Sequence, residues 1–182
     1  GSTLMRHVAF LRAINVGGHV VKMDVLRATF EDLGFAAVET FIASGNVVFE
    51  TRSKDLVAME RKIEQRLEQV LGYAVATFIR SLPDVGAIAR YQPFPKAAMA
   101  SAAALNVGLL KEPLAQPARQ ALANLRTEVD DFQVNGRELY WICLKRQSES
   151  RISNAVFERT LKVKATFRGM RTMEKLAAKY GV

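Results

Sequence analysis

His7–Phe49, HVAFLRAINVGGHVVKMDVLRATFEDLGFAAVETFIASGNVVF, is the stretch on which the fold turns. In His7–Ala13, Val8 and Phe10 alternate with Ala9 and Leu11, so both faces of a strand are apolar and the pattern predicts burial on both sides. Lys22–Leu33 carries Leu26, Phe30 and Leu33 on one helical stripe, and Gly34 suits the left-handed residue that ends a helix. Val38–Ala43 and Asn46–Glu50 read as strands joined by a hairpin-like turn at Ser44-Gly45.

Downstream, Lys54–Leu71 repeats Leu56, Met59, Ile63, Leu67 and Val70 at intervals of three and four, with Gly72 as its stop, and Tyr73–Arg80 reads as a strand. The order βαββαβ is that of a ferredoxin-like domain, with the first strand central between the third and fourth. That topology sets INVGG, after the first strand, and SGN, before the third, at the same end of the sheet.

SLPDVGAIARYQPFP then predicts a short helix and a Pro-punctuated connector. Lys96–Ala103 is Ala-rich but too short to stand alone as a helix, and reads as linker or loop. Ala104–Leu110 is a strand and Leu114–Leu125 a helix. Val129–Val134 and Glu138–Leu144 form a hairpin about Asn135-Gly136. Ser153 caps a helix reaching Leu161, and Met170–Tyr180 is a last helix stopped by Gly181. The fold class expected is α+β: two ferredoxin-like halves, βαββαβ over 3–81 and βαββα over 104–182 with an extra helix, packed together and joined by a connector over 82–103. A first strand buried on both faces argues against an RNA-recognition module that reads bases on an open sheet. Asn46-Val47-Val48-Phe49 also lacks the basic and aromatic run such modules use for stacking.

With 49% hydrophobic residues, 182 residues can bury one good core or two small ones. The apolar runs are too short to span a membrane, and the opening residues do not read as a secretory leader. The single Cys143 fits a reducing, cytoplasmic compartment. The net charge of +8 is unevenly placed: up to Gly136, fifteen Lys and Arg face fourteen Asp and Glu, whereas from Arg137 onward eleven face four. A basic end of this kind draws phosphate-bearing or acidic partners, or simply solubilises the chain.

Gly17-Gly18, between a strand and a helix, could let backbone N–H groups cradle an anion. Neither a dinucleotide fingerprint nor a P-loop is present, so no cofactor is expected. Arg12 could hold a phosphate or carboxylate bidentately, or close the loop by an ion pair. Asn15, Ser44 and Asn46 could add neutral hydrogen bonds, or could instead organise turns. A second cluster, Lys145, Arg146, Ser148, Ser150, Arg151 and Ser153, leads into the helix with Asn154 and Glu158. Lys162, Lys164, Arg168 and Arg171 extend its charge. His7 and His19 are the two histidines, and only His19, in the loop, suggests proton transfer. No cluster suggests a metal. Asp130-Asp131 reads as a strand-edge pair facing water, Cys143 as a buried small side chain, and Tyr140 and Trp141 as pointing to opposite faces with one of them open to solvent.

LRAINVGG followed by Lys22-Met23, then TFIASGNVVF, then SNAVFERTLKVKATFR, resemble the bacterial family known as domain of unknown function 1697. The resemblance implies an α+β protein of two ferredoxin-like halves and supplies no reaction. Its motif positions here are Arg12, Asn15, Gly17, Gly18, Lys22, Ser44, Gly45, Asn46, Asn154, Thr166 and Arg168. Gly169-Met170-Arg171 departs from the polar-aromatic-polar segment common after Arg168 in that family.

The expectation drawn is a binding protein for a phosphate-bearing or other anionic ligand, a nucleotide or nucleic-acid backbone, beside the INVGG loop. The alternatives are an enzyme acting on a small anionic metabolite, with Arg12 and Lys22 orienting it and His19 moving a proton, and a scaffold whose basic face meets an acidic protein.

Overall fold

The structure, a computed structural model, describes residues 3–12, 20–145 and 150–182, with the backbone alone at Ser44. Contacts divide the chain into two units, Gly1–Gly86 with Leu176–Val182, and Ala87–Lys175. In the first, β1 (Met5–Leu11), α1 (Met23–Asp32), β2 (Ala36–Phe41), β3 (Ala43–Thr51), α2 (Leu56–Leu71) and β4 (Thr77–Ser81) form an antiparallel sheet in the order β2-β3-β1-β4. This is the ferredoxin-like arrangement the order of elements predicts. α3 (Leu82–Arg90) follows.

Alternation along β1 works as expected. Ala9 and Leu11 join Leu26 and Phe30 of α1 and Met59, Ile63 and Leu67 of α2 in one apolar cluster. Val8 and Phe10, on the opposite face, are just as buried, as are Val48, Phe78 and Arg80 beside them. No open base-reading surface remains on this part of the sheet. Asp55 caps α2 by accepting the Ala58 N–H at 3.0 Å, and Gly72 ends it at φ 84°. Val70, placed by periodicity on the buried stripe, is exposed, while Glu60 is buried.

That glutamate has a specific use. β4 lies at the edge of its sheet, where backbone donors would otherwise invite another strand. Glu60 Oε2 accepts the Ile79 N–H at 2.8 Å and Glu64 Oε2 accepts the Thr77 N–H at 2.9 Å. Four helical residues rise about 6 Å and two strand residues about 6.6 Å, so carboxylates at i and i+4 match amides at j+2 and j.

The second unit contains α4 (Lys96–Ser101), β5 (Ala104–Leu109), α5 (Gln116–Ala123), β6 (Asp130–Asn135), β7 (Glu138–Cys143), α6 (Asn154–Leu161) and β8 (Thr166–Gly169), with sheet order β6-β7-β5-β8. α7 (Met170–Tyr180) closes the chain. Two corrections to the sequence reading arise here. Lys96–Ser101 is a short helix and not a linker; Pro95 occupies its N-cap, where a missing N–H costs nothing. β8 completes a βαββαβ order in this half as well, although four residues ending in Gly169 carry too little alternation to be read as a strand.

Phe132, Leu139, Trp141, Phe157 and Leu161 are the centre of this unit's core. Phe167 lies over Gly108 so closely that an added Cβ would sit 2.6 Å from its Cε1. Tyr140 and Trp141 do point to opposite faces, yet both are buried, so neither supplies an exposed ring. Cys143 is buried, its thiol donating to the Lys145 carbonyl at 2.8 Å. No helix among the described residues is long and apolar enough to cross a membrane.

Candidate functional site

The register of β1 against β3 runs from Met5↔Thr51 to Phe10↔Asn46, so the end of β1 and the start of β3 share one end of the sheet. Continued by two residues, the same register sets Arg12 opposite Ser44. Arg12 is half-buried and its N–H donates to the Ala76 carbonyl at 2.9 Å, extending the ladder to β4. The first residue of α1 reaches the same end: the Thr40 hydroxyl lies 3.2 Å from Met23 Sδ. Lys22, the N-cap of that helix, is exposed and offers no side-chain cap. Arg12, Lys22 and the segment Ser44–Asn46 therefore converge on one rim. Asn15, Gly17, Gly18 and His19 lie outside the described residues.

The hairpin at this rim differs from the sequence reading. The turn falls at Ile42, between paired Phe41 and Ala43, and Ser44 and Gly45 belong to β3. Asn46 explains the shift: its buried side chain donates from Nδ2 to the Phe41 carbonyl at 3.1 Å, clasping the turn from the β3 side. Ile42 pays with a left-handed φ of 67°, unfavourable for a β-branched residue, while its side chain stands exposed. Gly45 is half-buried.

The rim's charge is mixed. Asp24, in the first turn of α1, turns a carboxylate oxygen to the Val25 N–H at 3.0 Å and partly satisfies the helix end. Near Phe41, Lys179 of α7 lies 4.9 Å from the ring centroid and 3.4 Å from Glu39. The Tyr180 hydroxyl donates to the same Glu39 carboxylate, and Arg6 lies over the Tyr180 ring at 5.2 Å. The hydroxyl and the lysine hold Glu39 below its ordinary value, while burial and the carboxylate push Tyr180 well above its own. Lys179 was missed in sequence because nothing local ties the last helix to the second strand.

His7 is buried, with Nδ1 3.1 Å from the Met5 carbonyl and its ring stacked on Phe49 at 5.8 Å. Burial lowers its pKa, against opposing contributions from Met5 and Asp84. It is a packed core group.

The residues predicted in the second half occupy the second unit. Arg168, half-buried in β8, donates from Nη1 to Thr166 Oγ1 at 2.7 Å and to the Phe167 carbonyl at 2.9 Å. Burial brings it down to about 10, which leaves it charged at neutral pH. Thr166 is buried and Asn154 is exposed at the first position of α6. Ser153 is that helix's cap, accepting the Val156 N–H at 3.3 Å. Ser150 donates to both oxygens of Asp130 at 2.9 Å. Arg146 and Ser148 lie outside the described residues. Lys145, Arg151, Lys162, Lys164 and Arg171 are exposed.

Asp130 overturns its sequence reading. It is 2% exposed, and besides Ser150 it accepts Trp141 Nε1 at 2.9 Å and the Thr127 hydroxyl at 2.7 Å. The Thr127 oxygen in turn accepts the N–H groups of Val129 and Asp130. Thr127 three residues before Asp130 is the one local signal that could have shown a side-chain turn. Asp131 alone faces outward, ion-paired to Arg126 at 2.7 Å.

The family described as "Protein of unknown function (DUF1697)" matches residues 4–140 of this chain. A solved structure, that of conserved bacterial protein SP0830 from Streptococcus pneumoniae, superposes with a TM-score of 0.73 at 24% identity, covering 97% of this chain and 98% of that one. This likeness shows the fold. Among curated proteins none matches.

Proposed function

The chain belongs to the DUF1697 family, whose description names no activity, and from the geometry of the rim we propose that it is a binding protein for a phosphate-bearing ligand, a nucleotide or a nucleic-acid backbone, seated where β1 ends. The observation that carries the reading is the pairing of Phe10 with Asn46, which brings Arg12 and Ser44–Asn46 to one end of the first unit's sheet, the end that Met23, next to Lys22, reaches through Thr40. A guanidinium and an ammonium there supply two kinds of phosphate contact, one forked and one point-like. The turn beside them is clasped by Asn46 rather than left to loop entropy. A single cysteine, Cys143, buried in the second unit, accords with a reducing, cytoplasmic setting.

The enzyme alternative gains nothing from His7, which is packed in the core. The binding reading is tested by fluorescence polarisation with a labelled single-stranded oligonucleotide and by calorimetry with AMP, each at low and at physiological salt. Binding that weakens with salt and is lost in Arg12→Ala and Lys22→Ala supports it. Absence of binding to both probes at low salt removes it.

A further inference from the structure

The turn built on Asp130 also lines two adjoining lobes, both bounded by described residues of the second unit. One lobe, about 330 Å³, is walled by Phe94, Pro95, Ala98, Ile142 and Leu144. The other, about 620 Å³, is walled by Arg126, Lys145 and Arg151, with Glu128 at its side. Both lobes are lined by the same Arg126–Asp130 segment, so apolar and basic walls meet along a single strip of backbone.

Three features separate this groove from an ordinary surface dip. Its floor is fixed: Asp130 is held by Trp141, Ser150 and Thr127, and the Leu144 N–H donates to the Val129 carbonyl at 2.8 Å. Its acidic groups are largely committed, because the Asp130 oxygens already take three side-chain donors and Asp131 is paired with Arg126. Among the described lining residues, Lys145 and Arg151 therefore set the sign of the second lobe, opposed by Glu128. Finally, Leu144 keeps 47% of its surface exposed at the apolar wall, where the body of a ligand would cover it.

We propose that this groove binds a small amphipathic anion, with a phosphate or carboxylate head against Lys145 and Arg151 and an aromatic or short acyl body against Leu144 and Phe94. The lobe sizes are those of small-ligand sites, and an apolar lobe adjoining a polar one supplies affinity on one side and orientation on the other. The site is independent of the first unit's rim.

Trp141 is the only tryptophan, and its indole N–H donates to the groove floor, so one NMR cross-peak reports occupancy. The full chain is titrated with phenyl phosphate and, separately, with octanoate, and compared with inorganic phosphate and octanol. The indole and Val129 signals should move saturably with at least one of the two amphiphiles, and that arm identifies the body. The head alone and the uncharged alcohol should bind at least tenfold more weakly. The double variant Lys145→Glu, Arg151→Glu and the single variant Leu144→Glu, all at exposed positions, should each weaken binding at least tenfold with an unchanged circular dichroism spectrum. Equal affinity for phenyl phosphate and inorganic phosphate, no response to either amphiphile, or undiminished binding in the charge-reversed variant would overturn the proposal.

Discussion

Replacing Asp130 should unravel the second unit more than any surface carboxylate could, and the size of the effect follows from who depends on it. Three side chains donate to it: the Trp141 indole, the Thr127 hydroxyl and the Ser150 hydroxyl. In Asp130→Ala the two hydroxyls can turn to water or backbone, but Trp141 is 3% exposed and its N–H is stranded. A stranded buried donor costs about 1–3 kcal/mol, and hydrogen bonds to a charged acceptor are worth about 1.5–3 kcal/mol each. Discounting the hydroxyls for their re-solvation, a loss of about 3–4 kcal/mol is expected, a large share of the roughly 5–15 kcal/mol that holds a domain folded. Asp130→Asn keeps an oxygen for the indole and should lose about 1–2 kcal/mol. Urea unfolding followed by Trp141 fluorescence reads this unit selectively, since the chain has one tryptophan. If Asp130→Ala falls within about 0.5 kcal/mol of the parent, the range of an indifferent surface change, or if Asn costs as much as Ala, the network is not what fixes the turn.

Gly108→Ala should destabilise by about 1–3 kcal/mol, because the new methyl meets a Phe167 ring already stacked on Phe157 at 5.0 Å; thermal unfolding measures it, and an unchanged midpoint would show that ring free to move. His7 is depressed below its ordinary 6.5 in the folded state, so the unfolded chain binds the extra proton; its contribution is complete above about that pH and declines on acidification toward the folded value. His7→Phe should flatten the slope of stability between pH 7 and 5, and a slope equal to the parent's would assign it to another group. Tyr180 is raised, so its share of stability is present below its ordinary value of 10 and fades as pH climbs beyond it. Glu39 is lowered, so its share is present above 4.5 and fades on acidification. Both lie near the surface, so Tyr180→Phe should cost under about 1 kcal/mol, with reduced pH dependence at the alkaline end. A larger loss would mean that the last helix depends on this contact.

Sheet order was readable because apolar periodicity over Lys54–Leu71 and the doubly apolar HVAFL leave few ways to arrange six elements. Features that depend on one atom were not readable. Ser44-Gly45 has turn composition, yet Asn46 reaches back to Phe41 and moves the turn to Ile42, where a β-branched residue would not be placed by propensity. Thr166–Gly169 becomes a strand because Val107 and Leu109 offer it a ladder, a partner far upstream in the chain. Asp130 is buried for the same reason: its donors come from Trp141 and Ser150, distant in sequence. Of the candidate rim, Arg12 and Asn46 could be placed together by topology alone, whereas Lys179 comes from a helix whose last turn docks on β2.

Calorimetric titration of AMP at 50 mM salt into the parent protein and into Arg12→Ala tests the central proposal most directly. The rim reading predicts saturable binding to the parent that drops at least tenfold in the variant and weakens with added salt. Binding of equal strength to both proteins, or none to the parent, would contradict it.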